Sequence, residues 1–185
     1  RFRAAQQLGI EPIKRMNLVV ENPNLDGIEL GAVPGRRETG VNVSRIKRAG
    51  RDEVDVATDQ TVLHPGDTIL AVGLQRQLEA FRLVVGRVAD EDLMRAPGQV
   101  AFRRVLVTRK EVLGKTISEL GLDSLYGVAI TRVLRADVEV TAVPDLRLQF
   151  GDFLHVVGDE RNIAKAAGVL GNSLKALNET NFIPI

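Results

Sequence analysis

The sequence predicts an α+β protein built as two tandem copies of one small β-α-β-β-β-α fold. Three observations predict it: an internal duplication, short β-branched runs at matching places in both halves, and an amphipathic helix closing each half. Repeats are the first thing to look for, because missing one misreads the whole fold. Residues 16–86 align with 102–171, at a shift of 87 in the first halves and 85 in the second. Val20, Gly27, Gly40 and Val41 fall on Val107, Gly114, Gly127 and Val128, and Arg45, Arg48 and Ala49 on Arg132, Arg135 and Ala136. Beyond a two-residue slip around Gly50–Glu53, Leu63, Gly66, Asp67, Val72, Gly73 and Gly86 fall on Leu148, Gly151, Asp152, Val157, Gly158 and Gly171.

Each copy opens with a β-branched run, Asn17–Val20 or Val105–Thr108, that predicts a strand. A brief segment after the first Gly, with Ile117 and Leu120 in copy two, suits one or two helical turns. The alternating runs Val41–Ile46 and Val128–Leu134 then turn at Ala49-Gly50 and Ala136-Asp137 into return strands Glu53–Ala57 and Val138–Ala142, predicting hairpins. A last strand, Thr68–Val72 or Phe153–Val157, follows Gly66-Asp67 or Gly151-Asp152. Leu74, Leu78, Phe81 and Val85, and Ile163, Ala166, Ala167 and Leu170, are spaced as helix faces. Asp159 is placed to cap the second helix, and Gly86 and Gly171 to end the two. The expected organisation is a tail at 1–15, a domain at 16–86, a polar linker at 87–101, a domain at 102–171 and a second tail at 172–185.

Composition narrows the function classes. The chain is 44% hydrophobic and 26% charged, which is ordinary for a globular domain. With 25 Lys+Arg against 24 Asp+Glu it lacks the basic excess of a nucleic-acid binder, so no nucleic-acid partner is expected. Having no cysteine, it has no disulfide, thiolate catalysis or cysteine metal site. No apolar run approaches the roughly 20 residues that span a bilayer, and no signal-peptide core is present.

No catalytic constellation emerges. Gly66-Asp67 and Gly151-Asp152 resemble paired acids, but Gly-Asp just before a strand reads as a turn in which Asp accepts backbone amides. His64 and His155 match each other under neither shift, and no clustered acids or H-E-x-x-H accompany them, so no metal is expected. None of Ser44, Ser118, Ser124 and Ser173 lies in G-x-S-x-G, and no phosphate-cradling glycine loop occurs, so no cofactor is expected and the chain reads as a non-enzyme. The candidate ligand residues are Arg45, Arg48, Arg132 and Arg135. A duplicated guanidinium pair on equivalent strands could hold a small anion where the copies meet, or could instead pair locally and guard a strand edge.

The element order, the R-x-x-R of the middle strand and the L-x-x-G-D before the last strand resemble the TrkA-C domain. That domain is the C-terminal (RCK C-terminal) half of the cytoplasmic module controlling potassium conductance. The resemblance covers nearly the whole chain. Asn22–Gly27, Ser44–Arg48, Val112–Lys115, Leu148–Asp152 and Leu170–Asn172 further resemble the cytoplasmic insert of the aspartate:alanine exchanger family of transporters. In that family two membrane blocks flank a TrkA-C pair. The resemblance implies a regulatory module on the cytoplasmic face of the bacterial inner membrane. Its partners would be the transmembrane halves of the same full-length chain and a second copy in a homodimer. Arg1, Arg3, Lys14 and Arg15 would then follow a membrane helix on its positive side, and Phe182–Ile185 would lead into the next. The Rossmann half of complete channel modules has no counterpart, so no dinucleotide site carries over. The competing expectation is a soluble small-molecule sensor attached to a DNA-binding or other effector domain.

Overall fold

A computed structural model describes residues 11–171, so the expectations placed on the first ten residues and on 172–185 lie outside the described residues. Copy one contains β1 (Lys14–Val19), a single helical turn α1 (Arg36–Thr39), β2 (Asn42–Lys47), β3 (Val54–Val56), β4 (Thr68–Gly73) and α2 (Gln75–Val85). Copy two contains β5 (Ala101–Leu106), the short helices α3 (Ile117–Leu120) and α4 (Leu122–Tyr126), β6 (Ala129–Arg135), β7 (Val138–Thr141), β8 (Phe153–Gly158) and α5 (Glu160–Leu170). Short 3-10 turns precede α1 and α3. The strands form two four-stranded sheets of the same order, β1-β4-β2-β3 and β5-β8-β6-β7, with antiparallel neighbours. The α+β duplication is thus the observed architecture.

Registers locate the slip between the copies. Arg45 pairs with Val56 in copy one, whereas Arg132 pairs with Thr141 in copy two. Adding 87 to the first residue and 85 to the second turns one pair into the other, so the two extra residues lie in the β2–β3 turn. That turn closes with Arg51 N donating to Arg48 O, and Gly50 supplies a positive φ of 78°. The tighter β6–β7 turn places Ala136 at φ 55° instead.

Each sheet buries one face under its own helix. Leu18, Val43, Ile46, Ile69 and Ala71 pack with Leu78, Phe81 and Val85 of α2. Val105, Val133, Leu154 and Val156 pack with Ile163, Ala166, Ala167 and Leu170 of α5. From the residue before β2 onward the core-facing positions run Val41, Val43, then Ile46, a change of parity that alternation alone does not produce. Its cause is a bulge between Val43 and Arg45 against β4, repeated between Ile130 and Arg132 against β8. The bulge puts an extra residue on the strand and re-aims the side chains beside it. Ser44 with Arg45, and Thr131 with Arg132, consequently line the face turned away from the helix.

The linker has the expected polar turns and also packs against copy one. Val19 N donates to Arg87 O and Ala89 N to Asn17 O, extending the sheet beyond β1. The segment then crosses the outer face, where Leu93 is buried against Leu70 and Val54. Lys47 pairs with Glu91 at 3.1 Å, and Val54 N donates to Pro97 O beyond β3. Residues 87–100 strap the outer face of copy one. Two boundaries shift accordingly: β1 begins at Lys14, inside the expected tail, and β5 begins at Ala101, inside the expected linker.

Candidate functional site

The two copies meet through β2 and β6. Asn42, on the outer face of β2, donates from Nδ2 to Thr131 O at 2.9 Å and to Ala142 O at 3.3 Å. Beside this clasp the outer faces enclose a cavity of about 210 Å³. Copy one contributes Arg15, Ser44, Arg45, Leu70, Val72 and Met94; copy two contributes Phe102, Arg104, Thr131, Arg132, Glu139, His155 and Val157.

Of the four candidate arginines, the structure brings Arg45 and Arg132 together at this cavity and leaves Arg48 and Arg135 out of it. Three residues beyond the bulge-aimed arginine, the chain has reached the end of the strand. There Arg48 Nη1 donates to Asp67 Oδ2 at 2.7 Å and to Val62 O at 2.6 Å. In copy two, Arg135 meets Asp152 through two parallel bonds, Nε to Oδ1 at 2.9 Å and Nη2 to Oδ2 at 2.8 Å. The same carboxylates accept backbone amides, His64 N at 2.9 Å for Asp67 and Gln149 N at 2.8 Å for Asp152. The Gly-Asp pairs are therefore turn residues that also anchor the second arginine of each R-x-x-R.

Arg45 and Arg132 are arranged differently. Arg45 is only 6% exposed; its Nη1 donates to Met94 Sδ, a weak acceptor, and its Nε is buried with no partner. Arg132 donates from Nη1 to Glu139 Oε1 at 3.3 Å, and its Nε is likewise buried and unpartnered. Arg15 and Arg104 stand at the exposed rim and make no ion pair among the described residues. Burial pushes the Arg45 guanidinium below the usual arginine range; Arg15 adds to this and Asp92 opposes it. Burial lowers Arg132 in the same way, opposed by the carboxylate of Glu139 and reinforced by Arg15 and Arg104. Four guanidiniums thus share walls that hold one carboxylate. A buried charge without a full set of partners is costly, and an anion between these forks would relieve it.

Sequence reasoning missed Arg15, Arg104, Glu139, His155 and Phe102. Strand alternation was the available signal, since Arg15 on β1 pairs with Val72 and Arg104 on β5 pairs with His155, both partners lying on the outer face. His155 points from the outer face of β8 into the wall, 3.9 Å from Glu139 and with its ring centroid 5.0 Å from that of Phe102. His64 pairs at the surface with Asp26 at 2.8 Å. Among the described residues no group of three or more His, Asp and Glu side chains is arranged to hold a metal ion. No helix among them is long and apolar enough to cross a membrane.

Comparison with known proteins follows the same division of the chain. The family model for the TrkA-C domain matches residues 18–86 and again 102–171. A protein of Histophilus somni named "Putative transport protein" is 34% identical over all 185 residues, which make up 33% of its length. A Yersinia enterocolitica protein of the same description is 39% identical over 175 residues, covering 95% of this chain and 31% of its own. The chain therefore spans about a third of the length of the curated relatives it matches. Among solved structures, the GsuK RCK domain aligns at 12% identity and a TM-score of 0.39, over 85% of this chain and 63% of that one. The RCK_C domain dimer of S. agalactiae BusR in complex with c-di-AMP aligns at 27% identity and a TM-score of 0.35, over 38% of this chain and 90% of that one.

Proposed function

Because the chain belongs to the TrkA-C domain family, we propose that it is the non-catalytic sensing module of a bacterial secondary transporter of the aspartate:alanine exchanger type. It works on the cytoplasmic face of the membrane, pairs with a second copy of the full-length protein, and grips a small anion between its two halves. The observation that carries this reading is the duplicated bulge. It turns Arg45 and Arg132 into one shared cavity, each with a buried Nε that has no partner. A ligand shifts a two-state system only through unequal affinity for the states. An anion contacting both arginines favours the closed junction, because only there do both copies reach it.

The experiment is a thermal-shift and calorimetric screen of the 185-residue chain against nucleotides, cyclic dinucleotides and dicarboxylates. At least one is expected to bind, and Arg45→Ala and Arg132→Ala are each expected to weaken it about tenfold or more. That loss follows from the roughly 1.5–3 kcal/mol contributed by a hydrogen bond to a charged group. Undiminished binding in the folded double variant removes the arginine site. The attachment to a transporter has its own check: the uncut reading frame is expected to encode apolar segments of roughly 20 residues on both sides. A frame without them assigns the module to the soluble-sensor class.

A further inference from the structure

A second cavity, of about 270 Å³, opens at the same junction beside Asn42. Its volume falls just below the roughly 300–1,000 Å³ of pockets for drug-sized ligands, which suits a small metabolite. Arg36, Arg37 and Asp59 line it from copy one; Ser118, Asp123 and Ser124 line it from copy two.

The charges here differ in kind from those of the arginine cavity. Two guanidiniums face two carboxylates, and among the described residues only Arg36 and Asp59 are paired with each other. Arg36 is 7% exposed; its Nη2 reaches Asp59 Oδ1 at 3.1 Å and Asn42 Oδ1 at 3.3 Å, while its Nε is buried with no partner. Arg37 and Asp123 make no ion pair among the described residues, although both line the cavity. Burial pushes Arg36 below its usual range; Asp59 opposes this, Arg37 adds to it, and Asp123 opposes it in turn. Asp123 thus acts on Arg36 across the cavity without touching it.

We infer that this cavity binds a small zwitterion of the amino-acid class. Its carboxylate lies on the Arg36 and Arg37 side, and its ammonium faces Asp123 between the hydroxyls of Ser118 and Ser124. A polyanion would meet two carboxylates in these walls, and a simple cation would meet two guanidiniums; a molecule carrying both signs meets a partner at each end. Asp59 is already committed to Arg36, which leaves Asp123 as the carboxylate open to the ammonium. The occupant is bound by both copies, so the site is complete only when the junction is closed.

The test is calorimetric titration of the 185-residue chain with the twenty L-amino acids, followed by the N-acetyl and carboxamide derivatives of the best binder. One or more amino acids are expected to bind, with each blocked derivative at least tenfold weaker. Arg36 is buried and its loss endangers folding, so the diagnostic variants are Asp123→Asn and Arg37→Gln at accessible positions. Each is expected to weaken binding about tenfold with the melting temperature of the ligand-free protein unchanged, while Arg45→Ala leaves amino-acid binding intact. The inference is overturned if no amino acid binds, if a blocked derivative binds as well as the parent, or if Asp123→Asn has no effect. Binding that survives Asp123→Asn but is lost in Arg45→Ala overturns it while leaving the anion reading of the other cavity in place.

Discussion

Replacement of Asp152 by alanine is expected to destabilise the second copy by about 3 kcal/mol, near the lower end for a broken buried pair. The carboxylate is 1% exposed and serves three donors at once, the two-pronged guanidinium of Arg135 and the amide of Gln149. Removing it strands a backbone N–H in a buried turn and leaves Arg135 facing Arg147 O alone. The arginine side chain keeps 31% exposure, so water compensates part of its loss, which is why the lower end applies. At roughly 4–8 °C per kcal/mol for a unit of this size, the melting temperature should fall by roughly 12–24 °C. Differential scanning calorimetry measures it, and a fall of only a degree or two would demote the pair to an ordinary surface contact. Asp152→Asn retains an acceptor for Gln149 N and loses the charge, so it should lie between alanine and the native protein.

A comparable loss is expected from Gly86→Ala. Gly86 has φ 152°, a conformation that side chains rarely adopt, and an added Cβ would sit 2.2 Å from Val19 O and 2.9 Å from Glu21 N. Both neighbours are backbone atoms of the chain leaving β1, so no side-chain rotation gives way. Backbone strain of roughly 1–3 kcal/mol adds to overpacking of similar size, for a cost of at least about 3 kcal/mol. Gly171→Ala repeats the experiment in copy two, where the added atom would lie 2.3 Å from Thr108 Oγ1 and 2.7 Å from Arg109 N. Urea denaturation of both variants is the check, and a midpoint equal to the native one in either would show that the approach relaxes. The sequence reading marked these glycines as helix ends; the heavier constraint is the chain leaving β1 or β5, which passes close to each of them.

Much of the fold was legible because the duplication supplied two independent copies of every signal. Matching glycines and β-branched runs gave the order of elements along the chain, and the slip at Gly50–Glu53 appeared as the longer of two equivalent turns. The division of labour within R-x-x-R was not legible. It depends on a bulge defined by pairing with β4 or β8, and pairing partners are distant in sequence. The parity change from Val43 to Ile46 was the one local trace of it. Arg15 was assigned to a tail because it lies just outside the repeat, although it holds a register position on β1. The packing of the linker is not legible because Asp90, Glu91 and Asp92 dominate its composition, while one apolar residue, Leu93, makes the buried contact.

That strap sets where the first copy can be cut. A fragment stopping at the end of α2 would keep every strand and the helix yet uncover Leu70 and Val54. It would also free amide and carbonyl groups along both outer edges of its sheet, where Arg87, Ala89 and Pro97 now bond. Exposed edges of that kind recruit other chains. The smallest self-sufficient piece therefore ends near Val100, fifteen positions past the helix, and what reads as a connector belongs to the module it follows.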